Sequence, residues 1–208
     1  MICVCRRHVR RAAALQMVDK ISIIPRGVGA LGYSANLPPS DESGGLMTLR
    51  EMKSSLCTCM GGRAAEAACY GRGGVTNGSS DDLQKATNLA QALIGQYGLG
   101  EGTGPVALGV DPFGPSGMTP IASAAAEECR ALLTRAEEAA MASVVENRAL
   151  FETLVKLLRE REEVEGEELR GCFQDVKVPV EMMRFLSSSS SSSNSDEKQK
   201  KKQGPQSD

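Results

Sequence analysis

A mainly α-helical domain carrying a small β-hairpin, with a disordered C-terminal tail, is the architecture this sequence predicts. Three observations predict it. Aromatic residues make up 3% of the 208 residues and Trp is missing, so Ala, Leu, Val, Ile and Met must build the core. Small aliphatic side chains suit closely packed helices better than a sandwich or barrel. Apolar residues recur at helical spacing through three long segments, and one isoleucine-rich run closes on Pro and Gly, as a short strand does.

The strand comes first. Ile21, Ile23 and Ile24 are bounded by Pro25 and Gly27. Pro25 cannot donate to a ladder, so the strand ends there or lies on an edge. Gly27, Gly29 and Gly32 allow a tight return into a second extended run, Tyr33 to Leu37, before Pro38 and Pro39. The first helix opens on a capping box, Thr48 with Glu51, and carries Leu49, Met52, Leu56, Cys59 and Met60 at helical spacing. Gly61 and Gly62 inside it cost about 1 kcal/mol each relative to Ala. Their presence implies close approach of another backbone.

A glycine-rich loop (Gly71, Gly73, Gly74, Gly78) leads into the second helix, with Leu83, Ala86, Ala90, Leu93 and Tyr97 on one apolar face. Gly98 stands where a C-terminal cap belongs. Asp81 and Asp82 fall in the first turn, where unsatisfied amides favour a carboxylate by roughly 0.3–1 kcal/mol. A Gly- and Pro-rich connector spans 100–120. The helical region from Ile121 to Arg161, with its Leu150, Leu154, Leu157 and Leu158 stripe, reads as a helical hairpin or bent pair.

The ends differ in character. Residues 1–16 hold Arg6, Arg7, Arg10 and Arg11 with no acid, as an organellar transit peptide does. A non-native start from an incomplete gene model fits too, and is the preferred reading. Seven serines at 187–193, followed by Lys198, Lys200, Lys201 and Lys202, cannot bury enough apolar surface to offset ordering, so the tail is expected to be disordered. The sequence thus divides into an atypical N-terminus (1–17), a folded domain (18–170) and a Ser/Lys-rich tail (171–208).

A formal net charge of −2 gives no reason to expect a nucleic-acid partner. The seven cysteines (Cys3, Cys5, Cys57, Cys59, Cys69, Cys129, Cys172) form no regular framework and read as free thiols. No apolar run reaches the ~18 residues a membrane span requires.

Five segments taken together carry a resemblance. They are Lys-Ile-Ser-Ile-Ile-Pro-Arg-Gly-Val-Gly-Ala-Leu-Gly-Tyr (20–33), Gly-Gly-Arg-Ala-Ala-Glu (61–66), Thr-Asn-Gly-Ser-Ser-Asp-Asp-Leu-Gln-Lys-Ala-Thr (76–87), Val-Val-Glu-Asn-Arg (144–148) and Glu-Val-Glu-Gly-Glu-Glu-Leu (163–169). In this order they resemble the peptidase domain of the FtsH family, the membrane-anchored ATP-dependent zinc metalloproteases. The resemblance implies a helical peptidase fold and a zinc ion held by two histidines of a His-Glu-x-x-His motif and a distant aspartate. The motif's glutamate would be general base on zinc-bound water.

The matching aspartate is Asp82. The His-Glu-x-x-His motif does not occur in this sequence. Its one histidine, His8, heads His-Val-Arg-Arg-Ala without a glutamate or a second histidine, and is not assigned to zinc. Cys57 and Cys59, two apart on a helix, point to different faces and cannot chelate together. No Gly-x-x-x-x-Gly-Lys-Ser/Thr appears, so ATP would be bound by an ATPase module not contained in these residues.

The resemblance also implies substrate pairing along Ile21, Ser22, Ile23 and Ile24 by strand addition, clients that are unfolded or membrane proteins, and homo- or hetero-hexameric rings at a mitochondrial or plastid membrane. The expectation is therefore a metalloendopeptidase domain that is inactive as this chain stands. The alternatives are a non-catalytic pseudo-peptidase subunit and a helical assembly module.

Overall fold

A computed structural model of the chain describes residues 18–25, 32–36, 46–108 and 120–187. The expectations for residues 1–17, for Gly27 and Gly29, and for the tail beyond Ser187 lie outside the described residues. Helices dominate, as the sequence predicts. They are α1 (Leu49–Tyr70), α2 (Ser80–Gln91), α3 (Pro120–Glu146), α4 (Arg148–Arg161), α5 (Gly166–Cys172) and α6 (Val180–Ser187). Strands β1 (Val18–Ser22), β2 (Tyr33–Asn36) and β3 (Glu163–Glu165) form one antiparallel sheet in the order β2-β1-β3.

The hairpin is present, but β1 runs earlier than the isoleucines suggest and ends at Ser22. The Ser22 hydroxyl accepts the Ile24 N–H at 3.1 Å, a local bond that competes with the ladder. Ile23 and Ile24 are consequently exposed. Gly32 is required by proximity, because a Cβ there would lie 2.7 Å from the Ser22 carbonyl oxygen. The third strand adds Lys20↔Glu165, Ile21↔Val164 and Ser22↔Glu163, and Lys20 Nζ pairs with Glu163 (2.7 Å) and Glu165 (3.1 Å).

The capping box of α1 is closed in both directions: Thr48 N–H donates to Glu51 Oε2 (2.7 Å) and Glu51 N–H to Thr48 Oγ1 (3.3 Å). α1 packs against α2, α3 and α6 and buries Leu56, Cys57, Met60, Ala64 and Ala65. α3 presents Ala125, Ala136, Ala139 and Ala140, all nearly inaccessible. Small side chains on both partners let the axes approach, which is the packing that the aromatic-poor composition demands. Gly62 breaks the expected rule: among the described residues, a Cβ there would meet nothing within 4 Å.

In α2, Ala86, Ala90 and Leu93 are buried as predicted, while Leu83 and Tyr97 at the ends of the stripe are exposed. The helix widens into a π turn over Ala92–Gln96, which shifts Tyr97 off the 3.6-residue register. Gly98 caps it at φ +62, with Leu99 N–H on Leu93 O at 3.0 Å. The start of the following connector is tied to α3, because the Glu128 carboxylate accepts from the backbone of Glu101, Gly102 (3.0 Å) and Thr103 (3.1 Å).

Two separate cores result. The larger joins α1, α2, α3 and α6. The smaller is built from Val18, Leu154, Val164, Leu169 and Phe173, from β1, α4, β3 and the end of α5. The predicted Leu150–Leu158 stripe belongs to this second core, and the bent pair resolves into α3 and α4 broken at Asn147.

The tail boundary at 171 is corrected by α6. Met182, Phe185 and Leu186 are almost fully buried against α1 and α3, so folded structure reaches at least Ser187. Phe185 is overlain by Lys53 Nζ (5.7 Å from the ring centroid) and the Arg135 guanidinium (5.6 Å). Glu101 lies near both, at 3.8 and 3.9 Å. Burial pushes the Lys53 pKa down; Glu101 opposes this and Arg135 adds to it.

Candidate functional site

The residues that position Asp82 begin on α1. Glu66 reaches the loop between α1 and α2, where its carboxylate accepts the Thr76 N–H (2.7 Å) and the Thr76 hydroxyl (2.9 Å). These two bonds hold its pKa below the ordinary carboxylate value. Thr76 in turn caps the short turn Asn77–Ser79 through Gly78 N–H (3.2 Å), and that turn runs directly into α2. Three residues before Glu66, Arg63 Nε donates to Glu137 of α3 at 2.9 Å. The Gly-Gly-Arg-Ala-Ala-Glu segment therefore fastens α1 both to α3 and to the loop that delivers Asp82. The sequence marks Arg63 and Glu66 as two charges in a run of small residues, and the partners 10 and 74 positions away leave no local signal.

Asp82 sits in the first turn of α2 beside the exposed Asp81. Its side chain is 27% exposed and Oδ1 takes Lys85 Nζ at 3.3 Å. The substrate-strand residues separate into two pairs. Ile21 and Ser22 are paired on both sides, with Ser34 and Tyr33 of β2 and with Val164 and Glu163 of β3. Ile23 donates its N–H to Glu162 O at 2.9 Å, and Ile24 folds back on Ser22. Asp82 belongs to a helix of the larger core and Ile21–Ser22 to the sheet of the smaller one.

Zinc needs three or four donors meeting within about 2.0–2.3 Å of one point. Among the described residues, no three His, Cys, Asp or Glu side chains are placed to do so. The buried Cys129 thiol lies 3.6 Å from Ala90 O, and burial pushes its pKa up to about 11, away from the thiolate a metal takes. The described residues do not fit a zinc centre. Among them, no helix is long and apolar enough to cross a membrane.

By sequence, this helical domain with its three-stranded sheet falls into a class of peptidase domains. The family model for peptidase family M41 matches residues 9–172, and the chain belongs to that family. It is 36% identical over 173 residues to the ATP-dependent zinc metalloprotease FtsH of Syntrophobacter fumaroxidans, covering 77% of this chain and 26% of that protein. It is 35% identical over 179 residues to the chloroplastic ATP-dependent zinc metalloprotease FTSH 7 of Oryza sativa, covering 81% and 22%. The FtsH of Thermotoga maritima is 36% identical over 168 residues, 76% of this chain and 27% of that protein. The chain thus spans about a quarter of the length of the curated relatives it matches.

Proposed function

We propose that this chain is the peptidase-domain part of an FtsH-type ATP-dependent protease that degrades unfolded or membrane proteins, and that by itself it does not cleave peptide bonds. Family membership and the order of hairpin, 61–66 fastening and Asp82 turn support the first half. One observation carries the second: the sequence has a single histidine and no His-Glu-x-x-His. Asp82 is the residue we assign to a metal, as the aspartate of a ligand set whose histidines these residues do not supply. ATP is held, in this reading, by a module not contained in them. Assembly as a homo- or hetero-hexamer at an organellar membrane completes it, and the chloroplastic relatives support the organelle.

Substrate pairing then takes a modified form. Because Ile21 and Ser22 have a strand on each side, an extended client does not add to them directly; it pairs with an outer strand of the sheet, or reaches the exposed Ile23 and Ile24. The purified chain is expected to hold far less than stoichiometric zinc by elemental mass spectrometry and to leave casein intact. Stoichiometric zinc that is lost in Asp82→Asn, together with chelator-sensitive casein cleavage, would refute the inactive assignment.

A second reading is favoured by α6. This helix lies beyond residue 172, where the family match ends, and closes the larger core with the chain's own side chains. A core closed in this way suits a non-catalytic subunit that contributes packing surfaces to active paralogues. Co-purification with an intact FtsH ring tests it, and failure to join such a ring counts against it.

A further inference from the structure

Among the described residues, the chain passes between the two cores at 146–148 and again at 174–179. Both crossings meet at one side chain. Asn147 is nearly buried (6% exposed) and stands at φ −110, ψ 29, between α3 and α4. Its amide nitrogen donates to Ser143 O, on the last turn of α3, at 2.9 Å. The same nitrogen donates to Lys177 O at 3.0 Å. Its amide oxygen accepts the Lys177 N–H at 2.9 Å. The side chain thus pairs with Lys177 as a strand neighbour would, using one donor and one acceptor. Meanwhile its own carbonyl accepts the first bond of α4, from Phe151 N–H at 3.0 Å.

Among the described residues, the buried apolar side chains fall into two clusters with no member in common. Among the described residues, the main approach of a helix of one core to a helix or strand of the other is that of α3 to α4, across the break at Asn147. A boundary with little apolar contact is held mainly by such polar fittings, and it opens at lower free energy than either core. The neighbouring hydroxyl belongs to the same fitting, since Ser143, fully buried, returns its Oγ to Ala139 O at 3.0 Å.

We propose that Asn147 is the pin of a hinge between two separately cored bodies, so that the sheet carrying Ile21 and Ser22 swings as a unit relative to the helix carrying Asp82. The hinge stands on geometry; its use in setting the width of a substrate cleft rests on the protease reading above. An amide is suited to the task because it satisfies both crossings without a charge that burial would penalise.

Hydrogen–deuterium exchange on Asn147→Ala in the full chain tests the hinge. Peptides covering 174–179 should exchange about tenfold faster or more, while amides inside α1 and within β1 and β3 keep wild-type rates. Unchanged exchange at 174–179, or uniform acceleration through α1 and the sheet together, would overturn it. Should the variant fail to accumulate as folded protein, native-state exchange of the wild type in rising low denaturant decides the matter. Separate denaturant dependences for α1 and the sheet support two bodies, and one shared dependence overturns them. Neither readout involves proteolysis, so the outcome is independent of whether the chain is part of a protease.

Discussion

Glu66 accepts two hydrogen bonds from Thr76, and through that residue it holds the loop that delivers α2. Those bonds exist for the carboxylate and depress its pKa in the folded state below 4.5. A group with a depressed folded value contributes stability above its unfolded pKa and loses it as pH falls through the folded one. Thr76 amide protection should therefore be constant from neutrality down to about pH 4.5 and fall below it. In Glu66→Ala the protection should already be lower at pH 7, by about tenfold in exchange rate, with no further acid-linked step. NMR exchange at Thr76 across pH 3–7 checks both statements.

At the scale of the element, α1 is the clearest case of local rules meeting tertiary demands. Its start follows directly from Thr48 and Glu51. Inside it, Gly62 meets no close neighbour among the described residues that would require a glycine, so close packing there does not return the entropic cost of glycine in a helix. Gly62→Ala should stabilise the chain by roughly 0.5–1 kcal/mol, read as a rise in thermal midpoint. A fall would mean that the position is occupied in the folded chain after all. The strands behave oppositely: β1 gained a second neighbour, β3, from a three-residue run too short to signal a strand by alternation.

For the whole molecule, the decisive element is α6, the last of the described ones. Met182, Phe185 and Leu186 are buried by α6, and each such side chain contributes about 1.5–3 kcal/mol. Their sum is comparable with the ~5–15 kcal/mol that stabilises an ordinary domain. A chain ending at Cys172, where the family match stops, also loses Phe173 and the Lys177 partner of Asn147. It should lose its cooperative melting transition, whereas a chain ending at Ser187 should melt as the full chain does. Calorimetry of the two truncations separates them, and a cooperative transition in the shorter one would show that α6 is dispensable.

Much of this was legible in the sequence. Periodicity, the capping box and Gly98 located α1 and α2, composition called for close-packed helices, and five short segments pointed to the family. These features are local, because each is written within one or two turns of chain and survives without knowledge of any partner. Tertiary structure decided the rest: that β1 lies between two strands, that Arg63 and Glu66 are fasteners, that α6 covers the larger core, and that Asn147 joins two crossings 30 residues apart. Apolar spacing records which face of an element is buried and is silent about what buries it. A polar side chain whose partner is a distant backbone group leaves no period at all, so its role emerges only when the chain has folded around it.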